Sequence, residues 1–247
     1  MTKCPWLSVI VSLFLYSANY ISMPDIALNI RKLRSKLPDN IKLVAVSKMK
    51  TVSDILAAYN EGQRCFGENR VQELLNKKDL LPVDIEWHLI GHLQSNKVRA
   101  AIPFITMIES VDTYRLMTII NSEAAKIDRK IDCLLQIHIA KEETKFGFSL
   151  QELIELFELH GFMDLENVRI CGLMGMATFT DDIVQVRREF GYLNSCYKSL
   201  KDRYFKDDPH FKEISMGMSD DYITAIEEGS TMIRIGSLIF GERNLSA

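Results

Sequence analysis

Beyond residue 42 the chain alternates between short apolar runs and longer stretches in which apolar residues return every three or four positions. The runs at 43–48, 65–67, 86–90, 105–109, 131–139, 168–173, 213–215 and 231–235 are rich in Val, Ile, Leu and Met and read as buried strands. The stretches between them predict helices at 51–59, 69–77, from 95, 112–127, from 149, from 182 and 219–227, with a short closing helix after residue 240. Thr51 with Asp54, and Ser149 with Glu152, have capping-box spacing, in which each side chain satisfies a backbone N–H left free at a helix start. From Asp182 onward, Ile183, Val186, Phe190, Leu193, Tyr197 and Leu200 form one stripe and predict a single buried face. An opening helix precedes the first strand, with Ile26, Ile30 and Leu33 on one side. Strands alternating with helices imply a parallel sheet. Eight such units predict an α/β fold, a single closed (β/α)8 TIM barrel, with an open doubly wound sheet as the alternative.

Composition adds exclusions. The 247 residues are 47% hydrophobic and carry a net charge of -3, so there is material for a core and no reason to expect nucleic acid or an anionic membrane as partner. Cys4, Cys65, Cys133, Cys171 and Cys196 are odd in number and scattered, which points to reduced thiols and a cytoplasmic protein. The histidines lack metal-site spacing. Residues 6–21 are nearly uncharged and apolar after Lys3, like a signal segment but short and interrupted for a membrane span. A start at Met23 is the favoured reading, with 1–22 an extension outside the fold and 23–247 the barrel.

Two cations break the apolar pattern. Arg234 lies inside the last strand and Lys48 closes the first. A cation at the end of a core strand is costly unless an anion or a covalent partner meets it. In a closed barrel these strands are neighbours, and side-chain alternation puts Val44, Val46 and Lys48 on one face and Met232, Arg234 and Gly236 on another. If both faces point inward, Lys48 and Arg234 converge at the mouth. The loops there, Ser215-Met216-Gly217-Met218-Ser219 and Gly236-Ser237, are of the kind that aims backbone N–H groups at an anion. An amine, a guanidinium and Gly/Ser turns suit an aldehyde cofactor carrying a phosphate. Plainer readings stand beside this one. Lys48 is a surface lysine, with Lys50 and Lys145 as rivals for its role, or Arg234 pairs with a barrel glutamate. Asn69 caps a helix, and Asp220 and Asp221 in a first helical turn disfavour an anion there. His88 reads as a hydrogen-bonded core histidine, and Met174, Met176, Met216 and Met218 as packing near the mouth.

Five blocks extend the picture: Val44-Ala45-Val46-Ser47-Lys48, the run from Phe66 through Gly67-Glu68-Asn69 to Glu73, Trp87-His88 through His92 to Lys97, Ser215 to Asp221, and Ala225 to Gly236. With them the chain resembles the pyridoxal phosphate homeostasis protein family (YggS/PROSC), itself similar to the N-terminal barrel domain of alanine racemase. The resemblance implies pyridoxal 5'-phosphate (PLP) bound as a Schiff base on Lys48, with Asn69 beside the ring and Arg234 facing the pyridine nitrogen. It places Ser215, Gly217, Ser219, Gly236 and Ser237 at the phosphate. It further implies a carrier or buffer of the cofactor that takes part in vitamin B6 and amino-acid homeostasis without established catalysis. Transient contact with PLP-dependent apo-enzymes and a monomeric state are expected with it. An arginine, whose pKa stays above ~12, cannot accept the ring proton as a carboxylate would, so the ring is a weak electron sink. Racemisation also needs a second base, supplied in racemases by a C-terminal domain that is not expected in a chain ending at Ala247. A small PLP-dependent racemase or lyase is the alternative, with Tyr222 and His92 as the proton carriers to test. A barrel enzyme acting on a phosphorylated sugar ranks third.

Overall fold

Eight parallel strands close on themselves in chain order, which removes the doubly wound alternative. The computed structural model describes residues 25–141, 146–160 and 165–242. Its strands are β1 (Lys42–Val46), β2 (Cys65–Glu68), β3 (Glu86–Leu89), β4 (Ile105–Val111), β5 (Ile131–Gln136), β6 (Val168–Met174), β7 (Glu213–Ser215) and β8 (Met232–Ile235). The helices are α1 (Ile26–Arg34), α2 (Val52–Asn60), α3 (Val71–Lys78), α4 (Val98–Ala101), α5 (Tyr114–Ala125), α6 (Leu150–His160), α7 (Ile183–Tyr204), α8 (Tyr222–Glu227) and α9 (Ser237–Phe240). β8 pairs with β1 in the register Val44↔Arg234, so among the described residues no strand edge is left unpaired.

Two apolar layers follow from the alternation of side chains. The larger lies between sheet and helices and includes Ile30, Phe66, Leu89, Phe190 and Ile233. The smaller fills the barrel interior with Val44, Val46, Ile90, Met107, Leu134 and Met232. Both capping boxes form: the Thr51 hydroxyl accepts the Asp54 N–H at 3.2 Å, and the Ser149 hydroxyl accepts the Glu152 N–H at 3.2 Å. Cys65, Cys133, Cys171 and Cys196 are buried free thiols.

Several expectations need correction. Ile183 is 63% exposed although it belongs to the predicted stripe. The 22-residue α7 is about 33 Å long at 1.5 Å per residue and outruns the seven-residue β6. Its first turn leaves Ile183 and Val184 exposed, and burial begins at Val186 and continues through Glu189, Phe190, Leu193, Cys196 and Leu200. Asp220 and Asp221 precede α8, because the Asp221 carboxylate accepts the Met218 N–H at 2.5 Å and closes a turn first. Asn69 caps nothing; Arg70 stands at the α3 N-cap without a side-chain bond. β5 stops at Gln136, after which Ile137 bridges to Phe148. The closing helix, α9, comes before Gly241. The apolar extension 1–22, Cys4 and Lys145 lie outside the described residues. Among those described, no helix is long and apolar enough to cross a membrane.

Candidate functional site

Val44, Val46 and Met232 point into the barrel, so the same alternation carries Lys48 and Arg234 to the C-terminal mouth. A cavity of about 330 Å³ opens there. Lys48, Asn69, Ser219, Arg234, Gly236 and Ser237 are on its wall, with Val46, Ile90 and Met176 supplying apolar surface. The backbone around Lys48 is held from below. Ser47 is fully buried, its hydroxyl donating to Glu68 Oε1 at 2.7 Å. The Lys77 ammonium donates to the Ser47 carbonyl at 2.9 Å, to Glu68 at 2.9 Å and to Glu73 at 2.6 Å. The Glu73 carboxylate also accepts the N–H of Met49, whose φ of 60° is rare for a residue with a side chain. Such conformations cost about 1–3 kcal/mol and persist only where surrounding contacts impose them. Burial pushes the Glu68 carboxyl above its ordinary value even though Ser47 and Lys77 oppose it. Lys50 reaches the cavity too, but its amine donates to the Phe240 and Gly241 carbonyls at 3.0 and 3.3 Å, at the end of α9.

Beneath the cavity a polar column crosses the apolar interior. Arg234 is 3% exposed; it donates to the Gly175 carbonyl at 2.9 Å and to the Ser215 hydroxyl at 2.5 Å. Ser215 donates to Glu109 Oε2 at 2.6 Å, and His88 Nδ1 donates to Glu109 Oε1 at 2.6 Å. Burial pulls the Arg234 guanidinium down from its ordinary value, against the upward pull of Glu109 and Asp221. Burial alone would lower His88 and raise Glu109. For His88, the Cys65 sulfur and the Glu109 carboxylate more than reverse this and hold the imidazole at about 10. For Glu109, His88, Arg234 and Ser215 hold the carboxyl below its ordinary value. Both shifts favour an ion pair. At the barrel floor Cys65, Glu86 and His88 bring ligand atoms within 4.8 Å of one another, as a metal site would. The Lys42 ammonium already sits there, paired with Glu86 at 3.0 Å, and takes the place of a cation. The cavity of about 400 Å³ at this end lacks Lys48 and Arg234, and barrel chemistry is found at the opposite face.

The alanine racemase N-terminal domain family matches residues 21–244. The pyridoxal phosphate homeostasis protein of Aquifex aeolicus is 40% identical over 203 residues, which cover 82% of this chain and 87% of that one. That of Escherichia coli K12 is 37% identical over 238 residues, covering 91% and 99%. The chain belongs to the pyridoxal phosphate homeostasis protein family. Among solved structures, PipY of Synechococcus elongatus with PLP bound is similar at a TM-score of 0.80 and 36% identity, over 87% of this chain and 100% of that one.

Of the eight residues that the family resemblance singles out, six are brought together on the cavity wall. Ser215 and Gly217 are not. Ser215 is fully buried in the column below, and the Gly217 carbonyl accepts the Arg234 N–H at 2.9 Å. Asn69 reaches the wall because residue 91 is glycine: a Cβ there would lie 2.7 Å from the Asn69 carbonyl oxygen. The plainer reading of Arg234 also holds, since its Nη1 is 3.8 Å from Glu109 Oε2. His88 is the expected core histidine. Met176 and Met218 are at the mouth and Met174 lies just inside, whereas Met216 packs in the outer core. Sequence reasoning missed Glu109 and the Glu68–Lys77 pair. The signal was present for Glu109, a charge inside the apolar run 105–109, as for Arg234.

Proposed function

We propose that this chain binds PLP at the barrel mouth, bonded covalently through Lys48, and that it carries or buffers the cofactor in vitamin B6 and amino-acid homeostasis. The convergence of Lys48 and Arg234 on one cavity, in a member of this family, is the observation that carries the reading. The residues fit the group. An amine, a guanidinium and the Ser219 and Ser237 hydroxyls match an aldehyde, a ring nitrogen and a phosphate, and about 330 Å³ lies in the range of small-ligand sites. When bound, the cofactor supplies an aldehyde to which amines add reversibly. Lys48 is the amine held in place for that bond by the tied loop from Ser47 to Lys50. Asn69 borders the ring and Arg234 donates to its nitrogen. Ser219, Gly236 and Ser237 hold the phosphate, and Ser215 and Gly217 act behind them by fixing Arg234.

A guanidinium donor leaves the ring nitrogen unprotonated and weakens the ring as an electron sink. Alanine racemase shares such an arginine and is active, so Arg234 does not by itself separate a carrier from an enzyme. His92 and Tyr222, the candidate proton carriers, are not among the described residues that line the cavity. His92 is engaged by Asp112 at 2.6 Å and stacks on Phe146. The protein so read works as a cytoplasmic monomer that meets apo-enzymes transiently. Borohydride reduction of the PLP-loaded chain, followed by peptide mass mapping, should place a stable adduct on Lys48, and Lys48→Ala should abolish it. An adduct absent from the wild type, or spread over surface lysines, would overturn the proposal.

A further inference from the structure

Four large apolar side chains are left open to solvent on one side of the mouth: Phe179 at 86% exposure, Ile183 at 63%, Ile223 at 60% and Met218 at 36%. They line a groove of about 440 Å³ between the loops after β6 and β7 and the first turns of α7 and α8. A contiguous apolar patch at the rim of a polar site marks an interaction surface, whereas scattered exposed apolar residues mark nothing. The groove shares Phe179, Met218 and Asp220 with the cofactor cavity, so whatever fills it stands against the cofactor.

The charged residues that line the groove are all acidic, and the nearby Lys141 ammonium is bonded to Gln185. Asp181 and Asp220 line it and are exposed, while Asp221 is turned to the Met218 N–H. Arg187, one residue past the groove-lining Val186, does not offset them, because its guanidinium is bonded to Glu227 and to Glu228 at 2.7 Å. An apolar floor with an acidic rim complements an apolar segment flanked by basic side chains.

We propose that this groove docks a recipient protein, through an apolar segment bearing lysine or arginine, while the cofactor changes hands. The proposal rests on the carrier reading above. The exchange is amine for amine. The recipient's lysine, having given up a proton, bonds to the cofactor carbon as Lys48 leaves and takes a proton up, so the carbon–nitrogen double bond is conserved and no oxidant is needed. A recipient must therefore bring a lysine past Asp181 in the groove to the cavity edge, where Asp220 attracts it.

The test follows return of activity to an apo-aminotransferase mixed with the PLP-loaded full chain, with a phosphatase present to destroy free cofactor. Ile183→Asp and Ile223→Asp change groove residues that do not line the cofactor cavity. Both should load PLP as the wild type does, which also reports that they fold, yet transfer it about tenfold more slowly, the scale of one interface anchor. Val83→Asp, at a fully exposed position outside the groove, should transfer at the wild-type rate. Added salt should slow the wild type. Full loading with unchanged transfer in both groove variants would overturn the docking surface and leave the carrier reading standing. A wild-type chain that does not load would remove both. A wild-type dimer that Ile223→Asp dissociates would assign the groove to a second copy and overturn the proposal.

Discussion

Glu109→Gln tests whether the buried column is held by charge. Glu109 is fully buried, 2.6 Å from His88 Nδ1, 2.6 Å from the Ser215 hydroxyl and 3.8 Å from Arg234. The substitution keeps the shape, removes the one carboxylate between two cations, and leaves a single acceptor oxygen. Holding the imidazole at about 10 rather than 6.5 corresponds to about 5 kcal/mol of stability, a ceiling because Cys65 contributes to the same shift. Breaking one side of a buried pair typically costs roughly 3–5 kcal/mol. The retained acceptor favours the lower end, so we expect a loss of about 3 kcal/mol near neutral pH. For a chain of this length that lowers the melting temperature by roughly 6–12 °C.

The pH dependence gives a second readout. His88 has a raised folded value, so its contribution is complete below 6.5 and is lost as the pH climbs through about 10. Glu109 has a lowered folded value, so its contribution is present above its ordinary value of 4.5 and is lost only as the pH falls through the depressed one. Urea unfolding at a series of pH values should show the wild type weakening from about pH 7 to pH 10, with a flatter slope in Glu109→Gln. A loss below about 1 kcal/mol, or an unchanged alkaline slope, would refute the ion pair and leave a neutral hydrogen-bonded column.

Lys77→Met should cost roughly 3–5 kcal/mol in urea unfolding at neutral pH, because it strands the fully buried Glu68 carboxylate. The loss should shrink in acid, where Glu68, already raised by burial, takes up a proton; equal losses at both pH values would argue against a charged Glu68. Gly172→Ala should fail to fold or lose more than about 4 kcal/mol by thermal denaturation, since its φ is +150° and a Cβ would lie 1.8 Å from the Glu213 carbonyl oxygen. A variant melting within a few degrees of the wild type would mean that β6 and β7 do not approach as described.

The fold was legible because its signals are local. Each strand and helix is announced by its own period, and eight repeats of one pattern leave few ways to bury every apolar face. Lys48 and Arg234 were legible for a related reason: each is a charge in a run that otherwise excludes charge, and chain order alone makes β1 and β8 neighbours once a barrel closes. The exposed start of α7 was not legible, because periodicity gives the apolar face of a helix but not where along its length other elements cover that face. Nor did local pattern show that Ser215 supports the site from beneath. Its partner Glu109 lies 106 residues away in sequence and 2.6 Å away in space, across an interior that exists only after closure. The sequence by itself determined the alternation, the barrel and the two cations at its mouth, because these follow from short-range periodicity and connection rules. Only the tertiary structure decided which buried charges neutralise one another, which loops share the cavity, and which apolar side chains are left to solvent, because those depend on distances between segments that no local pattern encodes.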